Sequence, residues 1–348
     1  MFEENNNYNS QFSFDEQAAS PQSVYVPVGL TVQTFMEKRE IKKIAFRTSL
    51  SMLLLFAITL IWGVAYGLIS VFTGVSSTEI TDFINDPANM HILQIVLSTM
   101  MFTLPFVIVA KASGYSISRL APFEKPQKKG SLFFFLLGVA FCALANVTVS
   151  FAGSIFGSFG MEYSVDFGEN PQGIFGFLLV LMSTVAVPAL VEEFACRGIV
   201  LGMLQKYGDG FAIMVSSIIF GLIHGNFEQM PFAFLVGLVL GFIRIKTGSL
   251  WICCLVHAFN NFISILFDYV FVDLDLAQQN VVYTFILIAC LLGGVLAVVF
   301  SAEKSDLFCI EKASHSCTVG QKYKWFFTSP AVIILIVIYV LEALTYFG

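Results

Sequence analysis

Residues 173–204 read GIFGFLLVLMSTVAVPALVEEFACRGIVLGML, an apolar run that contains two adjacent acids, Glu192 and Glu193, and one base, Arg197. A membrane-spanning helix needs about 20 mostly apolar residues, so this run is long enough to cross a bilayer. Ionisable side chains in hydrocarbon are costly, and those that persist there are generally paired or functional. The stretch therefore predicts a transmembrane helix that carries a functional site.

The whole 348-residue chain has the composition of a multi-pass membrane protein. Hydrophobic residues make up 57% and charged residues 12%, whereas a soluble domain carries about 25% charged residues. No basic patch with interleaved aromatic residues suggests nucleic-acid binding. The 7 cysteines form no recognisable disulfide framework. We expect an integral protein of a bacterial plasma membrane, in contact with lipid and not with nucleic acid.

Apolar segments long enough to be spans divide the chain into a tail and a bundle. Residues 1–47 are polar, rich in Asn and without helical periodicity until about Gln33, so we expect most of this segment to be a disordered cytoplasmic tail. Residues 48–348 are expected to form an all-α bundle of eight or nine transmembrane helices. The nine candidate spans are residues 48–72, 90–110, 131–157, 173–204, 210–226, 229–244, 249–272, 281–301 and 326–346.

The positions of the basic residues orient these spans. Cytoplasmic loops are enriched in Lys and Arg. With a cytoplasmic N-terminus, every one of the 18 Lys and Arg residues except Arg197 falls on the cytoplasmic side. The outer loops then carry only acids, such as Glu79 and Asp166. Pairs of glycines four apart, such as Gly237 and Gly241, also predict close helix packing.

The acids of the 173–204 span are expected to have different roles. Glu193 and Arg197 are four residues apart on a helix, with the acid first, which is the favourable order for an ion pair. Arg197 cannot lose its proton, so Glu193 is its expected counter-charge. Glu192 points about 100° away around the helix and remains available as a general acid or base.

Two histidines are expected at the same depth as Glu192. At 1.5 Å per residue, Glu192 and His224 each lie about 21 Å from the cytoplasmic end of their span, and His257 about 16 Å. Asn260 and Asn261 follow His257 near the same helix face, and either amide could serve the site. His91 lies at the outer end of its span, outside this layer.

Three short motifs in this region resemble those of the CPBP intramembrane proteases, which include the CAAX prenyl endopeptidases and bacterial relatives linked to bacteriocin processing and immunity. The resemblance covers a core of about residues 173–270 and rests on three complete motifs in order. They are Glu192-Glu193-x-x-x-Arg197, Phe220-x-x-x-His224 and His257-x-x-x-Asn261.

The resemblance implies an intramembrane endopeptidase acting on a membrane-associated or lipidated peptide or protein near the cytoplasmic face. It implies that Glu192 activates a water and that His257 and Asn261 stabilise the oxyanion. It implies that His224 orients the water or binds a metal. Glu192, His224 and His257 could together form a His₂Glu site for one divalent metal such as zinc, while a glutamate-activated water needs none.

Two other function classes fit an ionisable site in a membrane. One is a non-proteolytic scaffold or immunity protein that binds a membrane partner. The other is a proton-coupled secondary transporter with a Glu/His relay, although such transporters usually show internal repeats and none is evident in this chain.

Overall fold

The computed structural model of the chain describes residues 32–126, 130–158, 170–301, 308–309 and 317–345. All regular elements within these ranges are helices, which confirms the predicted all-α bundle. The helices are α1 (Val32–Thr73), α2 (Ser77–Asn85), α3 (Pro87–Ala112), α4 (Ile117–Leu120), α5 (Ser131–Ser158), α6 (Gly173–Gln205), α7 (Asp209–Ile223), α8 (Gln229–Thr247), α9 (Trp251–Tyr269), α10 (Leu276–Ser301), α11 (Val319–Phe327) and α12 (Pro330–Leu344).

The described residues contain fewer helices of spanning length than the nine predicted. Seven are long and apolar enough to cross a membrane, and an eighth is reached if α11 and α12, bent by 69° at their junction, are one span. The predicted span 210–226 corresponds to α7, which has 15 residues. At about 22 Å, α7 is shorter than the roughly 30 Å hydrocarbon core.

The boundary of the polar tail also differs from the prediction. Residues 1–31 lie outside the described residues, but residues 32–47, predicted to belong to the tail, form the first turns of α1. Ile41, Ile44 and Ala45 are fully buried on one face of this helix. They join the same apolar cluster as Phe326 of α11. Burial of this apolar face explains why the helix begins before the long apolar run.

Helix α6 runs through the bundle and contacts α3, α7, α8 and α9. The α7–α8 hairpin beside it is held close by glycines. A Cβ atom on Gly237 would lie 2.9 Å from the Ser217 Cβ atom, and one on Gly221 would lie 3.0 Å from the Met230 carbonyl oxygen. The predicted close packing at small residues is therefore present, and it fixes the position of α7 relative to α8.

Several segments assigned to the cytoplasmic side meet at one end of the bundle. The Lys322 ammonium donates to the Tyr207 carbonyl, and the Arg244 guanidinium donates to the Leu120 carbonyl at 3.4 Å. These contacts join residues from α11, the α6–α7 turn, α8 and α4. The loops that the charge pattern groups together are thus neighbours in space.

Candidate active site

The site is built on an irregular part of α6. Two segments of α6, Leu181–Ala186 and Phe194–Val200, are π-helical. The segment between them, Val187–Glu193, is α-helical. Such π-helical turns occur frequently at functional sites. The intervening turns carry Pro188 and both site acids, so the irregular segments set the direction in which these side chains point.

Glu193 and Arg197 form the expected ion pair. The Arg197 Nη1 atom donates to Glu193 Oε1 at 2.8 Å, and both side chains are completely buried. The Arg197 guanidinium also lies over the ring of Phe220, 4.0 Å from its centroid. Among the described residues, the Nε and Nη2 atoms of Arg197 have no hydrogen-bond partner. The carboxylate and the aromatic face therefore provide the main stabilisation of this buried cation.

Glu193 also accepts a hydrogen bond from a second helix. The Nδ1 atom of His257, on α9, donates to the same Oε1 atom at 3.0 Å. A carboxylate oxygen can only accept, so the proton of this bond is on Nδ1. Glu193 thereby fixes the His257 ring against α6, a role for this acid that the motif spacing did not predict.

Glu192 lies close to the other side of the same ring. Its Oε2 atom is 3.9 Å from His257 Nε2, and its side chain keeps 15% of its surface exposed, whereas that of Glu193 keeps none. A separation of 3.9 Å is too long for a direct hydrogen bond. Of the two acids, Glu192 is therefore the one with access to a further partner, in agreement with the expected division of roles.

His224 follows the last residue of α7 and is oriented by Phe220. Its Nδ1 atom donates to the Phe220 carbonyl oxygen at 2.8 Å. The Phe220 ring meets the His224 ring edge to face at 5.0 Å and the His257 ring at 5.8 Å. One aromatic side chain therefore contacts both histidines and the arginine, which explains why Phe220 belongs to the motif.

The two asparagines of α9 make different contacts. Asn261 Nδ2 donates to the Thr184 carbonyl oxygen of α6 at 2.9 Å. Asn260 accepts from Asn146 Nδ2 of α5 at 3.1 Å and donates to Asn261 at 3.3 Å. Asn261 is the one that contacts the helix carrying Glu192, which favours Asn261 over Asn260 for the role left open between them.

His91 is the residue near the site that the sequence did not single out. It is buried, and its Nδ1 atom lies 2.8 Å from the hydroxyl of Ser183, the neighbour of Thr184. His91 therefore packs against the π-helical turn of α6 from the side of α3. Its place at the outer end of a span gave no signal for this contact.

The part of the chain that the structure describes contains no assembled metal site. No group of three His, Cys, Asp or Glu side chains there is positioned to hold a metal ion. Glu192, His224 and His257 lie in one region without forming the three-ligand set expected for catalytic zinc.

Comparison with known proteins agrees with this geometry. Residues 174–263 match a family model described as "Type II CAAX prenyl endopeptidase Rce1-like". This segment of the chain is therefore similar to that family. The matched segment includes every residue of the three motifs, and the resemblance to the CPBP proteases is confirmed.

A relative and the solved structures complete the comparison. The protein named "Putative membrane peptidase YdiL" of Bacillus subtilis (strain 168) is 30% identical over 137 residues, which cover 36% of this chain and 53% of that protein. The similarity thus spans about half the length of this relative. No solved structure matches the chain.

Proposed function

We propose that this protein is an intramembrane endopeptidase that hydrolyses a peptide bond of a membrane-associated or lipidated substrate near the cytoplasmic face. The observation that carries the proposal is the contact pattern of the two acids. Arg197 and His257 both donate to Oε1 of the completely buried Glu193, while the partly exposed Glu192 carboxylate lies 3.9 Å from His257 Nε2. The Rce1-like match of residues 174–263 supports the same reaction class.

In the proposed mechanism, Glu192 acts first as a general base. It takes a proton from a water whose oxygen attacks the scissile carbonyl carbon, and His224 orients that water through its Nε2 lone pair. The His224 Nδ1–H is occupied by the Phe220 carbonyl, which leaves Nε2 as its acceptor atom. Glu192 then returns the proton to the leaving amine, so that the peptide bond breaks and the acid is ionised again.

His257 and Asn261 are proposed to stabilise the oxyanion. Protonated His257 presents an Nε2–H, while its Nδ1–H stays on Glu193, whose negative charge stabilises the imidazolium. Asn261 uses one amide hydrogen on Thr184 and has a second to donate. Donors positioned before the reaction are typically worth about 3 kcal/mol each in transition-state stabilisation.

The test compares proteolysis by three forms of the full-length protein in liposomes. The forms are wild type, Glu192→Gln, and Glu124→Gln, which replaces an exposed acid outside the site. The substrates are membrane-anchored peptides of identical sequence, with and without an S-linked prenyl group. We expect cleavage by wild type and Glu124→Gln and none by Glu192→Gln.

Each outcome separates the function classes. Cleavage by Glu192→Gln at the wild-type rate would remove this residue from the mechanism. Binding of the peptides without cleavage by any form would support the non-proteolytic scaffold instead. Cleavage of only the prenylated series would define the substrate class as lipidated.

A further inference from the structure

Helix α1 carries a basic surface at its first turns that has no part in the proposed reaction. The helix has 42 residues, about 63 Å, which is roughly twice the hydrocarbon thickness of a bilayer. Its buried face holds Ile41 and Ile44 against the bundle. The opposite side lines a shallow groove, here called the basic groove. It is formed by Arg39, Lys42, Lys43, Phe46 and Arg47.

The positive charge of the basic groove is largely uncompensated. Lys43 pairs with Glu40 at 2.6 Å, and the ion pairs found among the described residues include none of Arg39, Lys42 or Arg47. Lys206, at the cytoplasmic end of α6, adds a further cation within electrostatic range of Glu40. The groove thus contains four cations, with Lys206 as a fifth near Glu40, and its positive charge exceeds the negative charge of that one acid.

Exposed apolar side chains adjoin these cations. Phe46 is 55% exposed inside the groove, and Met36 and Leu50 are 44% and 37% exposed on the same helix. Cationic side chains next to exposed aromatic and aliphatic groups are typical of a membrane interface, where apolar groups enter the lipid and cations face the headgroups. A surface that binds a soluble anion such as free phosphate does not require exposed apolar side chains beside its cations.

We propose that the basic groove binds the headgroup of an anionic phospholipid. The phosphate lies among Arg39, Lys42 and Arg47, and the acyl chains run beside Phe46 and Leu50. Clusters of Lys and Arg on the cytoplasmic side of a transmembrane helix attract anionic lipids, by roughly fivefold in affinity for each cation. The negatively charged lipid complements the groove in charge and in polarity, and this binding is independent of proteolysis.

The test measures lipid retention by native mass spectrometry of the full-length protein. Protein is extracted from liposomes that contain equal amounts of phosphatidylglycerol and phosphatidylcholine. The groove variant Arg39→Gln/Lys42→Gln/Arg47→Gln removes three cations. The control variant Lys111→Gln/Arg119→Gln/Lys125→Gln removes three exposed cations elsewhere on the predicted cytoplasmic side. A third variant, Arg39→Lys/Lys42→Arg/Arg47→Lys, keeps the charge.

We expect wild type to retain phosphatidylglycerol over phosphatidylcholine by at least about tenfold. The control and charge-keeping variants should retain this preference, and the groove variant should lose it. An equal loss in the control variant, or no preference in wild type, would overturn the proposal. If the groove variant does not fold, single substitution Lys42→Gln must lower the preference by roughly fivefold, and an unchanged preference overturns the proposal.

Discussion

Asn261 of α9 donates its side-chain amide to the main-chain carbonyl of Thr184 in α6, at 2.9 Å. Thr184 lies four residues before Pro188. Residue 188 would donate its N–H to this carbonyl in an α-helical register, or to the Ser183 carbonyl in the π-helical register of Leu181–Ala186, but proline has no N–H. The asparagine therefore donates to a carbonyl in the turn from which Pro188 removes a backbone donor, and this bond fixes the side chain proposed to stabilise the oxyanion.

Substitution Pro188→Ala should slow proteolysis without unfolding the protein. Alanine restores an N–H to this turn and favours the α-helical register, in which that N–H competes with Asn261 for the Thr184 carbonyl, so the amide loses its fixed position. We expect kcat to fall by about tenfold, since small displacements of positioned groups have effects of this size or larger. KM and the apparent Tm should change little. The measurement is peptide cleavage in liposomes.

A second proline in a helix provides the control for this effect. Pro105 lies inside α3 and is buried, in a helix that carries none of the residues proposed to act in the reaction. Pro105→Ala should leave kcat at the wild-type value. Equal rate losses in the two variants would show that prolines act through general helix geometry and not through Asn261.

Removal of the Glu193 charge should destabilise the protein, because Arg197 would remain buried without a counter-charge. Breaking a buried ion pair on one side typically costs about 3–5 kcal/mol. Glu193→Gln should therefore lower the apparent Tm strongly, as measured by thermal unfolding in detergent. Normal stability of this variant would contradict the pairing at 2.8 Å.

The double variant Glu193→Gln/Arg197→Met separates stability from activity. It removes both charges, so much of the lost stability should return. Activity should stay low, because His257 would no longer have a carboxylate to accept its Nδ1–H and stabilise the imidazolium. Recovery of both properties would show that Glu193 serves only Arg197.

The local parts of the site could be predicted from the sequence. Glu193 and Arg197 are four residues apart on one helix, so their pairing follows from helix geometry alone. The common depth of Glu192, His224 and His257 follows from counting residues between charged ends. These predictions need only the rise and period of a helix.

The contacts between helices could not be predicted in this way. Whether His257 meets Glu192 or Glu193 depends on the rotation of α9 about its axis relative to α6, which side-chain packing sets. Pro188 signals a missing backbone donor in this turn of α6, but nothing in the sequence identifies Asn261 as the residue that donates to the Thr184 carbonyl. Helical periodicity from about Gln33 indicated the start of α1, but the tail boundary was placed at residue 47, because the apolar face of these first turns is explained only by its packing against α11.

Substitution Gly237→Ala should destabilise the α7–α8 hairpin. The added Cβ atom would lie 2.9 Å from the Cβ and 3.0 Å from the Cα of Ser217. The main chain must shift to relieve this contact, and overpacking of this kind costs about 1–3 kcal/mol. The control is Gly153→Ala in α5, where a Cβ meets nothing within 4 Å and alanine favours the helix. Apparent Tm values should fall only for the first variant.

Substitution Phe220→Leu should affect both stability and rate. The leucine keeps an apolar side chain but removes the ring that contacts Arg197, His224 and His257. We expect a loss of about 1–2 kcal/mol from the cation–π contact and a clear decrease in kcat. Phe134→Leu removes a ring that is equally buried in α5 and should lower stability alone. Unchanged kcat in Phe220→Leu would remove the ring from the positioning of the histidines.

Treatment with a strong chelator should leave proteolysis within about twofold of its starting rate, because the proposed chemistry uses only protein groups and water. The Nδ1 atoms of His257 and His224 donate to Glu193 and to the Phe220 carbonyl, which leaves both Nε2 atoms free, an arrangement also found in metal-ligating histidines. No three ligating side chains among the described residues are gathered around one point. The measurement is the cleavage rate before and after dialysis against the chelator, with elemental analysis of the same samples.

Loss of activity that zinc restores and magnesium does not would instead assign Glu192, His224 and His257 to a zinc site. His224→Gln should then lose bound zinc, whereas in the metal-free mechanism it lowers kcat with no change in metal content.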